Sequence, residues 1–270
     1  MNIRTALAQG TELLENNSVI APRLTAEVLL AHAIHCDRAY FYAHPEQELR
    51  EVEWIHYGRY LHERINGKPT QYITKKQEFY GREFRVTPDV LIPRPETELL
   101  IEKVVGRSNG LTIDVGTGSG AIAVTLAIET GTPVVATDLS AEALIVARDN
   151  AVTLGARVQF IRADLLQPFA NSAADLIVSN PPYIPLASAL QREVRDHEPH
   201  MALFAGTSGL DVYRRLIPEA QRVLKPGGTL ALELGFDLAG QVTALLSGWH
   251  NMQIFPDLAG IPRVLVCEKP

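Results

Sequence analysis

Apolar residues recur at helical spacing up to about residue 66 and then gather into short uninterrupted runs separated by further helical stretches. Thr5–Glu15 sets Leu7, Leu13 and Leu14 among good helix formers, and Pro22 opens a second run through Leu24, Val28, Leu29 and Ala33. Over Glu51–Ile65, the residues Trp54, Gly58, Leu61 and Ile65 share one helical face. One apolar stripe per helix and short connections predict a small helical bundle over residues 1–66. Residues 67–92 change character. Gly67-Lys68-Pro69 stops the helix, and Gln71-Tyr72-Ile73, Glu78-Phe79-Tyr80-Gly81 and Phe84-Arg85-Val86 read as short strands around a turn, a hairpin linking two domains. Pro93 and Pro95 mark the next boundary, and Glu96–Val105 resumes a helix with an acidic first turn.

From residue 111 strands and helices alternate, which predicts an α/β domain over residues 93–270. The strands are expected at Leu111–Val115, Pro133–Thr137, Val158–Arg162, Ala174–Ser179, Thr229–Leu234, Met252–Pro256 and Arg263–Glu268. Helices are expected at Ala121–Glu129, Ala141–Thr153 and Asp211–Val223. Apolar runs without polar alternation indicate a parallel sheet covered on both faces. The last two strands are joined through Gly260 and Pro262, so they should pair antiparallel at the sheet end. No internal repeat or low-complexity tract is visible.

Composition narrows the class. Hydrophobic residues make up 46% and charged residues 21%, an ordinary globular balance. Two cysteines, Cys36 and Cys267, cannot build a disulfide framework, and Cys267 reads as a small buried strand residue. No apolar run approaches the roughly 18 residues a membrane span needs, and the N-terminus lacks a signal-peptide core. The expectation is a soluble cytoplasmic protein with no membrane partner, and a monomer as the simplest state. A net charge of −6 argues against direct nucleic-acid binding, which usually needs a basic face. Among the eight histidines, the pairs His32/His35 and His197/His200 lack carboxylate or cysteine companions at ligand spacing, so no metal is expected.

The chemistry concentrates at strand ends. Leu111–Gly120 is a strand running into a Gly-x-Gly-x-Gly turn (Gly116, Thr117, Gly118, Ser119, Gly120) and then a helix. Glycines there permit positive φ and close approach of a ligand. A dinucleotide fingerprint would place the third glycine one residue later. Asp114 ends the strand, where it would repel a pyrophosphate but receive a cationic amino group, directly or through water. Asp138 can accept from both ribose hydroxyls, and Asp164 from an adenine amino group, with Leu165 as an apolar wall. Taken singly, each of these aspartates could be a helix N-cap. Together they line the crevice where open α/β sheets bind ligands, and they fit a nucleoside with a cationic amino-acid tail.

Asn180-Pro181-Pro182-Tyr183 follows the fourth strand of that sheet. Two prolines remove two backbone donors and hold Asn180 extended. The Asn180 side-chain oxygen and the Pro181 carbonyl can then converge on a planar NH2 group, with Tyr183 as a flat face. Holding both N–H bonds aims the nitrogen lone pair at a methyl donor, and the same acceptors stabilise positive charge developing on nitrogen.

These residues resemble class I S-adenosylmethionine-dependent methyltransferases that act on amino groups, and more closely the HemK/PrmC family, which methylates the glutamine side chain of peptide chain release factors. The resemblance covers nearly the whole chain: Gly67–Ile73, Glu78–Gly81, Leu91-Ile-Pro-Arg-Pro-Glu-Thr-Glu98, Glu198-Pro199, Ala205–Asp211, Leu232-Glu-Leu-Gly235 and Asp257–Gly260 with Arg263. Lys75-Lys76 departs from it, since the family often carries glycine there. The resemblance implies a seven-stranded, mostly parallel, Rossmann-like methyltransferase sheet behind a helical substrate-recognition domain, with the protein substrate clasped between them. It implies that Asp114 and Gly116–Gly120 hold the methionine part of S-adenosylmethionine, Asp138 the ribose and Asp164 with Leu165 the adenine. The glutamine of a Gly-Gly-Gln motif would enter beside Asn180, Pro181, Pro182 and Tyr183, leaving N5-methylglutamine and S-adenosylhomocysteine. Arg94 and Glu98 would organise the pocket roof, although an interdomain ion pair accounts for Arg94 equally well. Two other functions compete: the same turn serves amino-methylation of a flipped base in DNA or RNA, and a binding module could keep the nucleoside pocket without turnover.

Overall fold

In the computed structural model, residues 1–108 and 110–270 are described, and they divide into two compact units. One comprises residues 1–76 with 190–197, and the other residues 77–189 with 198–270.

The first unit is helical: α1 (Ile3–Asn16), α2 (Pro22–Ile34), α3 (Tyr40–Ala43), α4 (Glu51–Ile65) and α5 (Thr70–Thr74). Asn2 caps α1 by accepting the Thr5 N–H, and Pro22 stands in the first turn of α2, where its missing N–H costs nothing. The buried stripes differ in detail from the sequence expectation. The α1 stripe is Ile3, Ala6, Leu7, Gly10 and Leu14, while Leu13 and, on α2, Leu24 face solvent. In α4 the buried line is Glu53, Tyr57 and Leu61, so Trp54 and Ile65 only flank the core. The segment Gln71-Tyr72-Ile73 is not a strand. Pro69 starts a helical turn, Ile73 enters the helical core, and Lys75 ends the turn at φ +62, the left-handed region that explains a glycine preference there.

The second unit opens on a hairpin, β1 (Lys76–Phe79) and β2 (Arg82–Arg85), turned by Tyr80-Gly81 with both residues at positive φ. Phe79 and Phe84 meet edge-to-face, and Asn150 holds the hairpin by accepting from the Arg85 N–H and donating to the Arg85 carbonyl. Then follow α6 (Pro95–Val104), β3 (Thr112–Val115), α7 (Ala121–Thr130), β4 (Val134–Asp138), α8 (Ala141–Leu154), β5 (Val158–Arg162) and β6 (Ala174–Ser179). After α9 (Arg192–His197), which belongs to the first unit, come α10 (His200–Leu203), α11 (Asp211–Val223), β7 (Leu224–Glu233), α12 (Ala239–Leu245), β8 (His250–Pro256) and β9 (Pro262–Glu268). The short helices α3, α9, α10 and α12 carry too few periodic positions to announce themselves in sequence.

The large sheet runs β5-β4-β3-β6-β7-β9-β8. Its first five strands are parallel, and β9 pairs antiparallel with both β7 and β8. The antiparallel end pair is as expected, and β9 inserts between β7 and β8. Alternate residues feed two cores, one per face: Ile113, Ile177, Leu230, Leu232, Leu265 and Cys267 on one, and Ala136, Leu176, Val178, Ala231, Val264 and Val266 on the other. Apolar side chains on both faces explain the uninterrupted strand signature. Strand order reverses between β3 and β6, and the crevice at the carboxyl ends of these strands is where such sheets take ligands.

Candidate active site

The loop after β3 is shaped by three glycines at positive φ, Gly116, Gly118 and Gly120. A Cβ at Gly116 or Gly118 would meet nothing within 4 Å, so backbone conformation is the demand there. At Gly120 a Cβ would come 3.1 Å from the Ala147 Cβ, so this glycine also lets α7 pack on α8. The Gly116 and Thr117 N–H groups both donate to the Thr137 carbonyl at 2.9 Å, tying the loop to β4.

Asp114 lies fully buried, with Ala136 and Val178 beside it in register. Thr117 donates its hydroxyl to Oδ2 at 2.6 Å, while Oδ1 is buried with no hydrogen bond of normal geometry among the described residues. Burial pushes the carboxyl up to about 7, offset only in part by Thr117 and the nearby Ala123 N–H. Asp138 accepts the N–H of Gly118 and of Ser140, each at 2.9 Å. Burial raises its pKa, and those N–H groups pull it back. The cap of α8 is Ser140, not Asp138. A carboxylate has about four lone-pair positions, so Asp138 retains acceptor capacity for a ligand hydroxyl.

A cavity of about 510 Å³, within the usual range for a small-molecule site, is lined by Gly116, Gly118, Asp138, Asp164, Leu165, Asn180 and Pro182 among others. Asp164 accepts from Arg215 at 2.6 Å. Arg215, Glu219 and Arg222 stand four and then three residues apart on α11, and all three grip the 164–169 loop: Glu219 accepts the Leu166 N–H, and Arg222 donates to the Leu166 and Phe169 carbonyls. Sequence reading missed this trio, although its helical spacing was visible. Asp114 lies beneath the loop, and neither it nor Thr117, Ser119 and Gly120 of the loop line the cavity, nor do Pro181 and Tyr183 of the later turn.

The Asn180–Tyr183 turn leaves β6 against α6 and β7. Asn180 Nδ2 donates to Thr97 Oγ1 at 3.1 Å, and Thr97 donates to Glu233 Oε2 at 2.6 Å. Tyr183 donates its hydroxyl to Glu233 Oε1 at 3.2 Å. Glu233 is buried, which drives its carboxyl up to about 7 against the pull of Thr97, Arg263 and Tyr183. Burial beside Glu233 raises the Tyr183 phenol. Gly235 and Gly209 make room for Tyr183: a Cβ would come within 2.8 Å of its ring at Gly235 and 2.3 Å of its carbonyl at Gly209. Thr97 and Glu233 sit inside stretches singled out in sequence, but only their convergence gives them a place in the site.

Neither Arg94 nor Glu98 lines the cavity. Arg94 pairs at 2.5 Å with the buried Glu198 of the same unit, so its ion pair is not interdomain. Glu198 also accepts the Ile92 N–H, and Glu98 accepts the Tyr80 N–H in the hairpin turn. Among the described residues, no group of three or more His, Cys, Asp and Glu side chains could hold a metal ion.

Comparison with known proteins adds to this geometry. Residues 5–74 match the PrmC N-terminal domain family, and residues 95–194 match the methyltransferase small domain family. The chain is 46% identical over its full length to the release factor glutamine methyltransferase of Koribacter versatilis, covering 99% of that protein. It is 43% identical over its full length to the protein of the same name from Moorella thermoacetica, again covering 99%. Among solved structures, the fold is similar to a methyltransferase from Pyrococcus furiosus, with TM-score 0.54, 20% identity and coverage of 74% of this chain and 93% of that one. It is also similar to the T. thermophilus 16S rRNA methyltransferase RsmC in complex with AdoMet and guanosine, with TM-score 0.55, 22% identity and coverage of 72% and 50%.

Proposed function

The chain belongs to the release factor glutamine methyltransferase family, and on that premise we propose which of its residues carry the reaction. The activity is transfer of a methyl group from S-adenosylmethionine to the side-chain N5 of the glutamine in the Gly-Gly-Gln motif of peptide chain release factors. S-adenosylmethionine supplies an electrophilic methyl on a sulfonium sulfur and leaves as S-adenosylhomocysteine.

Three features of the crevice fit that cosubstrate. Asp114 lies beneath the loop rather than on the cavity wall, and its buried Oδ1, with no hydrogen bond of normal geometry among the described residues, would act on a cationic ammonium through water. Gly116 and Gly118 leave open the space a side chain would fill, and Asp138 keeps acceptor capacity for a ribose hydroxyl. Asp164 and Leu165 would hold the adenine at the far side of the same cavity.

The observation that carries the acceptor side is the commitment of the Asn180 Nδ2 to Thr97, which leaves Oδ1 of Asn180 as the end available to a substrate. Oδ1 and the Pro181 carbonyl would each accept one N–H of the glutamine amide. An amide nitrogen is a weak nucleophile because its lone pair is delocalised, and two fixed acceptors oppose that delocalisation while stabilising charge as nitrogen gains its fourth bond. Pro181 and Pro182 contribute no N–H donor to compete. Once the new bond forms, the cationic nitrogen is strongly acidic and passes one N–H proton to solvent water. On this reading the enzyme works as a cytoplasmic monomer, with residues 1–66 as the substrate-recognition domain, residues 67–92 as linker and residues 93–270 as the catalytic domain.

The test is transfer of labelled methyl to a purified release factor and to the same factor with the Gly-Gly-Gln glutamine replaced by alanine, using wild-type enzyme and Asn180→Ala. Label on the first factor alone, lost with Asn180→Ala while cofactor still binds, is expected. Label on nucleic acid and on neither factor would overturn the substrate, and full activity in Asn180→Ala would overturn the residue assignment.

A further inference from the structure

Asn180 can serve the acceptor only if the right end of its amide faces the cavity. The two ends are opposite in hydrogen-bond sense: the carbonyl accepts and the NH2 donates. An amide free to turn over would present donors to a substrate NH2 that itself needs acceptors.

The surroundings forbid that turn. Glu233 Oε2 lies 2.6 Å from Thr97 Oγ1, and a carboxylate oxygen can only accept, so the hydroxyl proton is directed at Glu233. The direction holds while Oε2 carries no proton, as in the ionised carboxylate; a proton on Oε2 would donate to Thr97 and release its hydroxyl. The Thr97 oxygen is therefore left as an acceptor, 3.1 Å from Asn180 Nδ2. Reversing Asn180 would set its carbonyl against that oxygen, two acceptors with no proton between them. Thr97 could relieve the clash only by releasing Glu233, which would strand a carboxylate oxygen in a site 1% exposed.

The base of the network is stiff. Tyr213 donates its buried hydroxyl to the Glu233 carbonyl at 2.6 Å, and Thr97 is anchored in the first turn of α6, where its N–H donates to the Arg94 carbonyl. The same carboxylate accepts from Tyr183, so the amide and the flat face take their positions from one group.

We propose that Thr97 and Glu233 are positioning residues, a relay from β7 through the first turn of α6 that locks the Asn180 side chain with its carbonyl toward the acceptor nitrogen. The proposal rests on the reading of Asn180 given above. It assigns the hydroxyl of Thr97, rather than its bulk, to turnover.

The experiment compares wild type, Thr97→Val, Thr97→Ser and Asn180→Ala in steady-state methylation of a release factor, with S-adenosylhomocysteine titrations reporting the integrity of the cofactor site. Thr97→Val keeps shape and removes the hydroxyl. It is expected to lower kcat by about 10- to 100-fold, as expected for losing one buried hydrogen bond, while KM for the factor and Kd for S-adenosylhomocysteine stay within about twofold. Thr97→Ser restores the hydroxyl and should return kcat to within about threefold of wild type. Wild-type kcat in Thr97→Val, with Asn180→Ala inactive, would overturn the relay and leave the Asn180 assignment standing. Equal losses in Thr97→Val and Thr97→Ser would show that packing matters and the hydroxyl does not, which also overturns it. Full activity in Asn180→Ala would remove the premise for both.

Discussion

Asp138 Oδ2 accepts the backbone N–H of Gly118 at 2.9 Å, so the carboxylate at the end of β4 braces the glycine loop that follows β3. The side chain that suits a ribose hydroxyl thus also holds the shape of the neighbouring loop. The two strands pair parallel with Asp114 beside Ala136, which brings their carboxyl ends to the same height.

Asp138→Ala removes a ribose acceptor and leaves the Gly118 and Ser140 N–H groups without their partner. The expected result is about 100-fold weaker binding of S-adenosylhomocysteine, equivalent to about 2.7 kcal/mol. Isothermal titration calorimetry checks it, and a change under threefold would rule out the ribose role.

Cofactor binding should titrate with Asp114. The ionised form attracts a cationic amino group, and burial holds the free carboxyl at about 7. Protonation below that value removes the attraction, so affinity should fall about tenfold from pH 8 to pH 6. Asp114→Asn should bind weakly with little pH dependence over that range. A wild-type Kd flat between the two pH values would place the cation elsewhere.

Stability of the free enzyme should run the other way. Asp114 and Glu233 both have folded pKa values raised to about 7, so their protonated forms favour the fold. That contribution is complete below the ordinary carboxylate range and is lost as pH rises through 7, at about 1 kcal/mol per group between pH 6 and pH 8. Glu27 and Glu53, held low by their arginine partners, act with opposite sign and destabilise the fold only in acid. Thermal melts without ligand should therefore give a higher Tm at pH 6 than at pH 8, and Glu233→Gln should shrink the difference.

In the helical unit, Gly10 on α1 faces Tyr57 on α4 so closely that a Cβ would lie 1.9 Å from the phenol oxygen. That oxygen is buried with no hydrogen-bond partner among the described residues. Gly10→Ala should destabilise by about 1–3 kcal/mol through overpacking. Tyr57→Phe alone should be neutral or slightly stabilising, and it should recover part of the Gly10→Ala loss. Denaturant melts of the three variants measure the coupling, and strict additivity would exclude the contact.

Features governed by local chemistry are legible in residue order alone. Helix-stopping Gly67-Pro69, the glycines after Val115 and the paired prolines after Asn180 constrain backbone wherever they occur, so the sheet strands and both motif loops could be located from residue order. Period-3.6 patterns and unbroken apolar runs likewise mark the long elements, because burial on one face leaves a helical repeat and burial on both faces leaves a continuous run. Gln71–Ile73 reads as a strand in sequence but folds as a helical turn, because five residues hold too little periodicity to separate the two and burial of Ile73 decides between them.

Tertiary contact settled what residue types leave degenerate. Nothing local tells Asp114, sealed under its loop, from Asp164, paired with Arg215 at the cavity wall, since a carboxylate's pKa and reach depend on neighbours brought from other elements. Arg94 could have bridged domains, and the fold instead gave it Glu198, 104 residues away within the same unit. Thr97 and Glu233 are separated by 136 residues and meet only because α6 packs across β7. Residue order supplied the reactive groups and the stiff turns that present them. Packing of distant elements determined which groups are desolvated, which are paired, and which end of Asn180 is left free.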